Sequence, residues 1–226
     1  MTKIQCKSCS VEIAYDETQL LVMGGRTYFA PTLCDACGET QKRERDEKDK
    51  LEKIAATERA WAEVCPPLYQ KTDVARLPAS AKAVLDWNLN PKGLVVLGPS
   101  GRGKTRAVWV LLKRIFMEGH SIRSYTACDF GRASSDCSYS GAASEWAASL
   151  IRCGVLFIDD LGKSKITERN ESDLFDICEQ RISHERPIII TTNATGDELA
   201  RRFDLERGIG GPLVRRLREF CDAVVF

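Results

Sequence analysis

Histidine is almost missing from this chain: His120 and His184 are the only two, and neither stands at triad or metal-ligand spacing. That argues against serine-type hydrolysis and against histidine-built metal catalysis. No apolar run approaches the roughly eighteen residues that a membrane-spanning helix needs. The amino terminus opens on polar, cysteine-containing sequence rather than a signal peptide, so a cytoplasmic protein without a membrane partner is expected. Charge of one sign is also lacking, with 33 Lys and Arg against 32 Asp and Glu. Any nucleic-acid contact must therefore come from a local patch and not from a basic body. No internal repeat of useful period is visible.

What is present is a chain of 226 residues, 43% hydrophobic, long enough for one core and a small appendage. Its most informative stretch is Gly98-Pro99-Ser100-Gly101-Arg102-Gly103-Lys104-Thr105, a complete G-x-x-x-x-G-K-[ST] loop. The glycines allow tight turns that expose successive N–H groups, and the positive end of the following helix completes a cradle for phosphate oxygens. Lys104 would reach the β- and γ-phosphates of a nucleoside triphosphate, and the Thr105 hydroxyl would ligate Mg²⁺. The context agrees with this reading. Leu94–Leu97 predicts a short buried strand, and Val108, Leu111, Leu112 and Ile115 recur at helical spacing up to Gly119.

Ten cysteines would suggest disulfides in a secreted protein, but four of them form two C-x-x-C pairs, Cys6/Cys9 and Cys34/Cys37. Four thiolates close a tetrahedral zinc site and leave no open position for catalysis. So small a segment buries little apolar surface, whereas a structural zinc supplies roughly 10 to 16 kcal/mol. The alternatives are four reduced thiols or a redox dithiol. Between the pairs, Leu20–Met23 and Arg26–Phe29 flank Gly24-Gly25 as in a small hairpin. Cys65, Cys128, Cys137, Cys153, Cys178 and Cys221 show no ligand spacing.

From Gln41 to Val64 charges of both signs alternate, with apolar residues returning at Leu51, Ile54, Ala55, Trp61 and Val64. This predicts a charged connecting helix, either solvated or partner-binding. Pro66-Pro67 then breaks it. Downstream, strands are expected at Ser121–Thr126, Val155–Ile158, Ile188–Thr192 and Ala223–Phe226, with helices between them, which is an α/β order with a parallel sheet and helices on both faces. The small polar run 133–141 reads as a loop or a weak helix end.

Val155–Asp160 is an apolar strand ending in two carboxylates, as in a Walker B motif. Asp159 would hold Mg²⁺, and Asp160 would orient or deprotonate the attacking water. At the end of the next strand, Thr191-Thr192-Asn193 offers an amide that could sense the γ-phosphate.

From about Cys65 to Phe226 the chain resembles the AAA+ ATPases of the DnaC/IstB-like group of helicase loaders and transposition ATPases. The resemblance rests on GPSGRGKT from Gly98, VLFIDDLG from Val155, TTN from Thr191, LVRRLRE from Leu213, and Pro66-Pro67-Leu68-Tyr69. It implies an AAA+ P-loop core with a parallel sheet, Asn193 as sensor 1, and Arg216 as an arginine finger acting on a neighbouring subunit's ATP. Arg215, Arg218 and Arg207 are rivals for that role, and a basic helix face is the plainer reading of any one of them. Because the sequence given stops at Phe226 after the last expected strand, the absence of the helical lid is expected. Asp160 stands where many AAA+ proteins carry glutamate.

The expected organisation is therefore α/β, with a zinc-ribbon module at 1–40, a charged helical linker at 41–64 and a lidless AAA+ core at 65–226. The resemblance implies ATP, Mg²⁺ and Zn²⁺ as cofactors, homo-oligomers with sites between subunits, a replicative hexameric helicase as partner, and single-stranded DNA. Arg123, Arg132, Lys163 and Lys165 are the candidate DNA contacts. The expected activity is slow, assembly-dependent ATP hydrolysis that controls helicase loading. A transposition ATPase acting on duplex DNA and an interaction module with negligible hydrolysis are the alternatives.

Overall fold

The alternation of buried apolar runs with amphipathic segments produces nine strands and nine α-helices among the described residues. The computed structural model describes residues 2–15, 21–23, 26–28, 32–162, 168–203 and 210–226. They fall into two compact units, Met1–Arg59 and Ala60–Phe226. No described helix is long and apolar enough to cross a membrane.

In the first unit, β1 (Thr2–Gln5) and β2 (Glu12–Tyr15) pair antiparallel, as do β3 (Leu21–Met23) and β4 (Arg26–Tyr28). The expected hairpin therefore has both its strands, while its Gly24-Gly25 turn lies outside the described residues. Helix α1 (Asp35–Val64) starts at the second cysteine pair, earlier than the charge pattern indicated.

The second unit begins with the last residues of α1 and continues through α2 (Pro67–Gln70), a 3₁₀ turn at Val74–Arg76 and α3 (Ala81–Leu85). A five-stranded sheet follows: β5 (Gly93–Leu97), α4 (Lys104–Met117), β6 (Ile122–Thr126), α5 (Ala127–Tyr139), α6 (Ala143–Arg152), β7 (Val155–Leu161), α7 (Glu168–Ser183), β8 (Ile188–Thr192), α8 (Gly196–Phe203), α9 (Gly210–Phe220) and β9 (Cys221–Val225). The strand order is β6-β7-β8-β5-β9, and every pairing is parallel. The first strand of this sheet is thus not at an edge. The chain leaves β5 for the far edge, and the crevice at the carboxyl ends of the strands is where an open α/β sheet takes its ligand.

The period-2 alternation of strand side chains divides the core in two. Leu94, Val96, Val155, Phe157 and Ile189 face a cluster containing Trp61, Val84 and residues of α4, while Val95, Leu156, Ile158 and Ile190 face α5, α6, α7 and α9. Helices therefore cover both faces, as the strand order led one to expect. Trp61 packs on Trp109 and Phe116 at ring separations of 5.8 and 5.4 Å, so the end of α1 is part of this unit's packing.

The run 133–141 is a correction to the sequence reading: α5 is helical through Tyr139. Its small residues are accommodated by contact and not by propensity. Ser134 is wholly buried and bonds across to Asn170 and Asp173 on α7. The Ser135 and Ser138 hydroxyls donate back to the Gly131 and Ser134 carbonyls, which satisfies them without unwinding the helix.

Candidate functional site

The loop after β5 is shaped by positions that only glycine fills well. Gly98 has φ +138°, and a Cβ there would lie 2.5 Å from the Phe226 carbonyl oxygen. Gly103, at φ +91°, is the left-handed residue that precedes α4. The loop therefore turns directly into a helix amino terminus, the arrangement that binds phosphate.

Lys104 is only 5% exposed although it is charged. Its Nζ donates to the carbonyls of Gly98 (2.7 Å) and Pro99 (2.9 Å) and to Asn193 Oδ1 (2.6 Å). The Thr105 hydroxyl donates to Asp159 Oδ1 at 2.9 Å, and the Thr191 hydroxyl donates to the same oxygen. Burial raises the Asp159 carboxyl above its ordinary pKa, against the pull of these two hydroxyls. A pocket of ≈ 390 Å³ is lined by Ser100–Arg106, Asp160 and Asn193, with Tyr69, Leu77 and Pro78 also on its walls. Lys104, Thr105, Asp159, Asp160 and Asn193, all named from the sequence, thus converge on one place.

The donor set fits the group expected there. A hydroxyl and a carboxylate in mutual contact are hard oxygen ligands, suited to Mg²⁺ beside a triphosphate. A bound Mg²⁺ would neutralise charge on the phosphate oxygens.

Sequence reasoning missed several contributors. Thr191, within the Thr191-Thr192-Asn193 run, touches both acidic residues, because its hydroxyl also accepts from the Asp160 backbone N–H at 2.9 Å. Asp160 itself has φ +57°, and the β7–β8 register shifts between Ile158 and Leu161. Tyr69 stacks on Trp109 (5.9 Å, 12°) beneath the Arg106 guanidinium, and Arg106 also donates to the Leu68 carbonyl at 3.2 Å. These two contacts tie α2 to the first turn of α4. Only Pro66-Pro67-Leu68-Tyr69 hinted at them.

The arginines of α9 do not line this pocket. Arg216 pairs through Nε with Glu179 at 2.7 Å and lies 3.7 Å from Glu219. Arg218 pairs with Asp197 at 3.1 Å. Arg215 is exposed and makes no ion pair with a described residue. Arg207, Lys163 and Lys165 lie outside the described residues.

In the first unit the turn between β1 and β2 carries Cys6 and Cys9, while Cys34 precedes α1 and Cys37 lies in its first turn. The four Sγ atoms all lie within 4.8 Å of one another, and Cys9 and Cys34 are 3.5 Å apart. Zn–S bonds of 2.3 Å in a tetrahedron require S···S distances of about 3.8 Å, so the set fits a structural zinc. The Cys34 backbone N–H donates to the Cys6 sulfur and lowers that thiol to about 6, whereas Cys37 is pushed up to about 12, first by the Cys9 sulfur and then by Cys34. Such crowding of thiols is what a divalent cation relieves.

A phosphate loop after the first strand of a parallel sheet, an acidic strand end beside it and an asparagine on the next strand define a P-loop ATPase core of the AAA+ class. The family model for IstB-like ATP binding proteins matches residues 38–225, and the chain belongs to that family. A comparison with curated proteins gave no match. Among solved structures, a DnaC helicase loader is 22% identical with a TM-score of 0.57, covering 74% of this chain and 98% of that one. DnaI is 16% identical with a TM-score of 0.59, covering 71% and 94%. AMPPCP-bound DnaA from Aquifex aeolicus is 20% identical with a TM-score of 0.54, covering 65% of this chain and 44% of its own. The chain spans half or less of the length of three of the replication-initiation structures it matches. At these identities the likeness carries the fold.

Proposed function

We propose that this protein is an ATP-controlled assembly switch that loads a replicative hexameric helicase onto single-stranded DNA. The observation that carries the reading is the bonded set in which Lys104 meets Asn193 while Thr105 and Thr191 meet Asp159. In this reading the loop from Gly98 to Thr105 holds the triphosphate, and Thr105 and Asp159 hold Mg²⁺. Asp160 orients the attacking water, and Asn193 registers the γ-phosphate. Arg216, released from Glu179 when copies assemble, stabilises charge on a neighbour's γ-phosphate and makes hydrolysis depend on assembly. Cys6, Cys9, Cys34 and Cys37 hold zinc in a module over 1–40 that grips the partner, joined through 41–64 to a core over 65–226. The matching structures support the choice of process, since one is a helicase loader and another is a DnaA bound to AMPPCP and single-stranded DNA.

The experiment is ATP-dependent loading of the host's hexameric helicase onto a single-stranded DNA circle, compared between wild type and Lys104→Ala. Loading by wild type, lost in the variant together with ATP affinity, supports the reading; no loading by either overturns it. The family description favours a second reading, a transposition ATPase acting on duplex DNA, which predicts ATP-dependent filaments on duplex and no effect on helicase.

A further inference from the structure

At the end of the sheet opposite the triphosphate pocket, several arginines gather that form no ion pair with a described residue, although the exposed Glu185 is Arg186's neighbour in the chain. Arg181, on α7, has no exposure at all, and it donates to the carbonyls of Cys153 (3.0 Å), Gly154 (3.2 Å) and Pro187 (2.6 Å), among others. Among the described residues its acceptors are carbonyls and the Cys153 sulfur, none of them a carboxylate. The half-buried Arg186 donates to the Ile151 carbonyl at 3.0 Å. Arg152, in the last turn of α6, and Arg123, on β6 in register with Leu156 of β7, are both exposed.

These charges feel one another. Burial lowers the Arg181 pKa and the Arg186 charge adds to that; the Cys153 thiol, raised by burial, is pulled the other way by Arg181 and Arg123. Arg123, Arg152 and Arg186 form no ion pair with a described residue, unlike Arg132, Arg216 and Arg218. In a chain whose net charge is +1, several guanidiniums in one place with no ion pair among the described residues make a local positive field.

We propose that this edge of the sheet, presented by Arg123, Arg152 and Arg186 over the buried Arg181, binds the phosphodiester backbone of a nucleic-acid strand. The proposal deepens the nucleic-acid part of the reading above by naming the surface. The width of the patch selects the ligand. Arg123 is on β6 and Arg186 lies two residues before β8, two strand spacings away, or roughly 10 Å. Successive phosphates along a strand fill that span, whereas a single phosphate group does not. Guanidinium forks suit phosphate oxygens, and contacts of this kind read backbone and not bases. Lying at the opposite ends of the strands, the surface is open whether or not the pocket holds nucleotide.

The test is the double substitution Arg123→Ala/Arg152→Ala, which leaves the two arginines that bond the backbone in place. Binding of a fluorescent 30-residue deoxyribo-oligonucleotide is followed by anisotropy at several salt concentrations, with ATP affinity and melting temperature as controls. The expected result is a tenfold or greater loss of affinity and a log–log salt slope smaller by about 1.4, two single-strand phosphate contacts at about 0.7 each, with ATP affinity unchanged. Arg123→Lys/Arg152→Lys should recover most of the slope. An unchanged affinity and slope in the alanine variant, or no binding by wild type at low salt, overturns the proposal. Failure here leaves ATP-dependent helicase loading intact, and failure of Lys104→Ala to lose ATP leaves this surface intact, so the two are separable.

Discussion

Lys104 and Asn193, distant in sequence, are joined side chain to side chain, with Nζ donating to Oδ1 at 2.6 Å. The lysine keeps two carbonyl acceptors besides the amide, and so does not depend on it for its orientation. Asn193→Ala should therefore leave ATP affinity within a few-fold of wild type. Hydrolysis should fall by about 10² or more, the usual loss when a donor aimed at developing charge is removed. Steady-state kinetics check it: a rise in KM with kcat intact would make Asn193 a binding residue only.

Asp159 predicts a pH dependence of stability. Its pKa is raised in the folded state, chiefly by burial, so the native protein holds that proton when the unfolded chain has released it. The associated stability is fully present below the unfolded value of about 3.9 and is lost as pH rises through the folded one. Nucleotide-free Asp159→Asn should match wild type near pH 3 and melt higher at pH 7, while Mg-ATP should stabilise only wild type. Calorimetry across pH decides it, and a lower melting point for the variant at neutral pH would contradict the sign.

Arg216 and Glu179 yield a paired prediction. With both side chains about one-third exposed, their ion pair contributes on the order of 1 kcal/mol or less. Arg216→Ala should barely change melting of the isolated protein, yet it should cut hydrolysis in the assembled state by about 10³. Glu179→Gln should free the guanidinium and raise hydrolysis at low protein concentration. A concentration series of ATPase rates checks both, and normal assembled hydrolysis by Arg216→Ala would move the search for the finger to Arg215, Arg218 or Arg207.

The cysteine cluster predicts one zinc per chain. Replacing Cys6, the most buried of the four, with Ser should abolish stoichiometric metal, measured by plasma mass spectrometry. Chelation should unfold the first unit and spare ATP binding by the second. A metal-free protein whose first unit stays protected from proteolysis would exclude a structural ion.

The phosphate loop, the buried strands and the acid pair were legible because each is local. A parallel strand covered on both faces reads as an unbroken apolar run, and the loop's chemistry is set by residue spacing. What was not legible depends on partners far along the chain. The helicity of Ala133–Tyr139 rests on Asn170 and Asp173 from another helix. The roles of Thr191 and Arg106 emerge only once β8 lies beside β7 and α2 beside α4. Arg181 would pass in the sequence for one more surface charge on an amphipathic helix; burial under carbonyls from two other segments makes it structural.

The left-handed backbone at Asp160 bears on which residues can occupy that position at all. At φ +57° the Cβ of any L-residue crowds the following carbonyl at roughly 1–2 kcal/mol, and Asp and Asn, whose short polar side chains hydrogen-bond locally, visit this region more readily than most. Aspartate at this position suits the backbone as well as supplying a carboxylate beside Asp159. Of Asp, Asn and Gly, the residues that take this conformation most readily, only Asp offers a carboxylate. The same turn accounts for the β7–β8 register shift between Ile158 and Leu161, so backbone and carboxylate are set together.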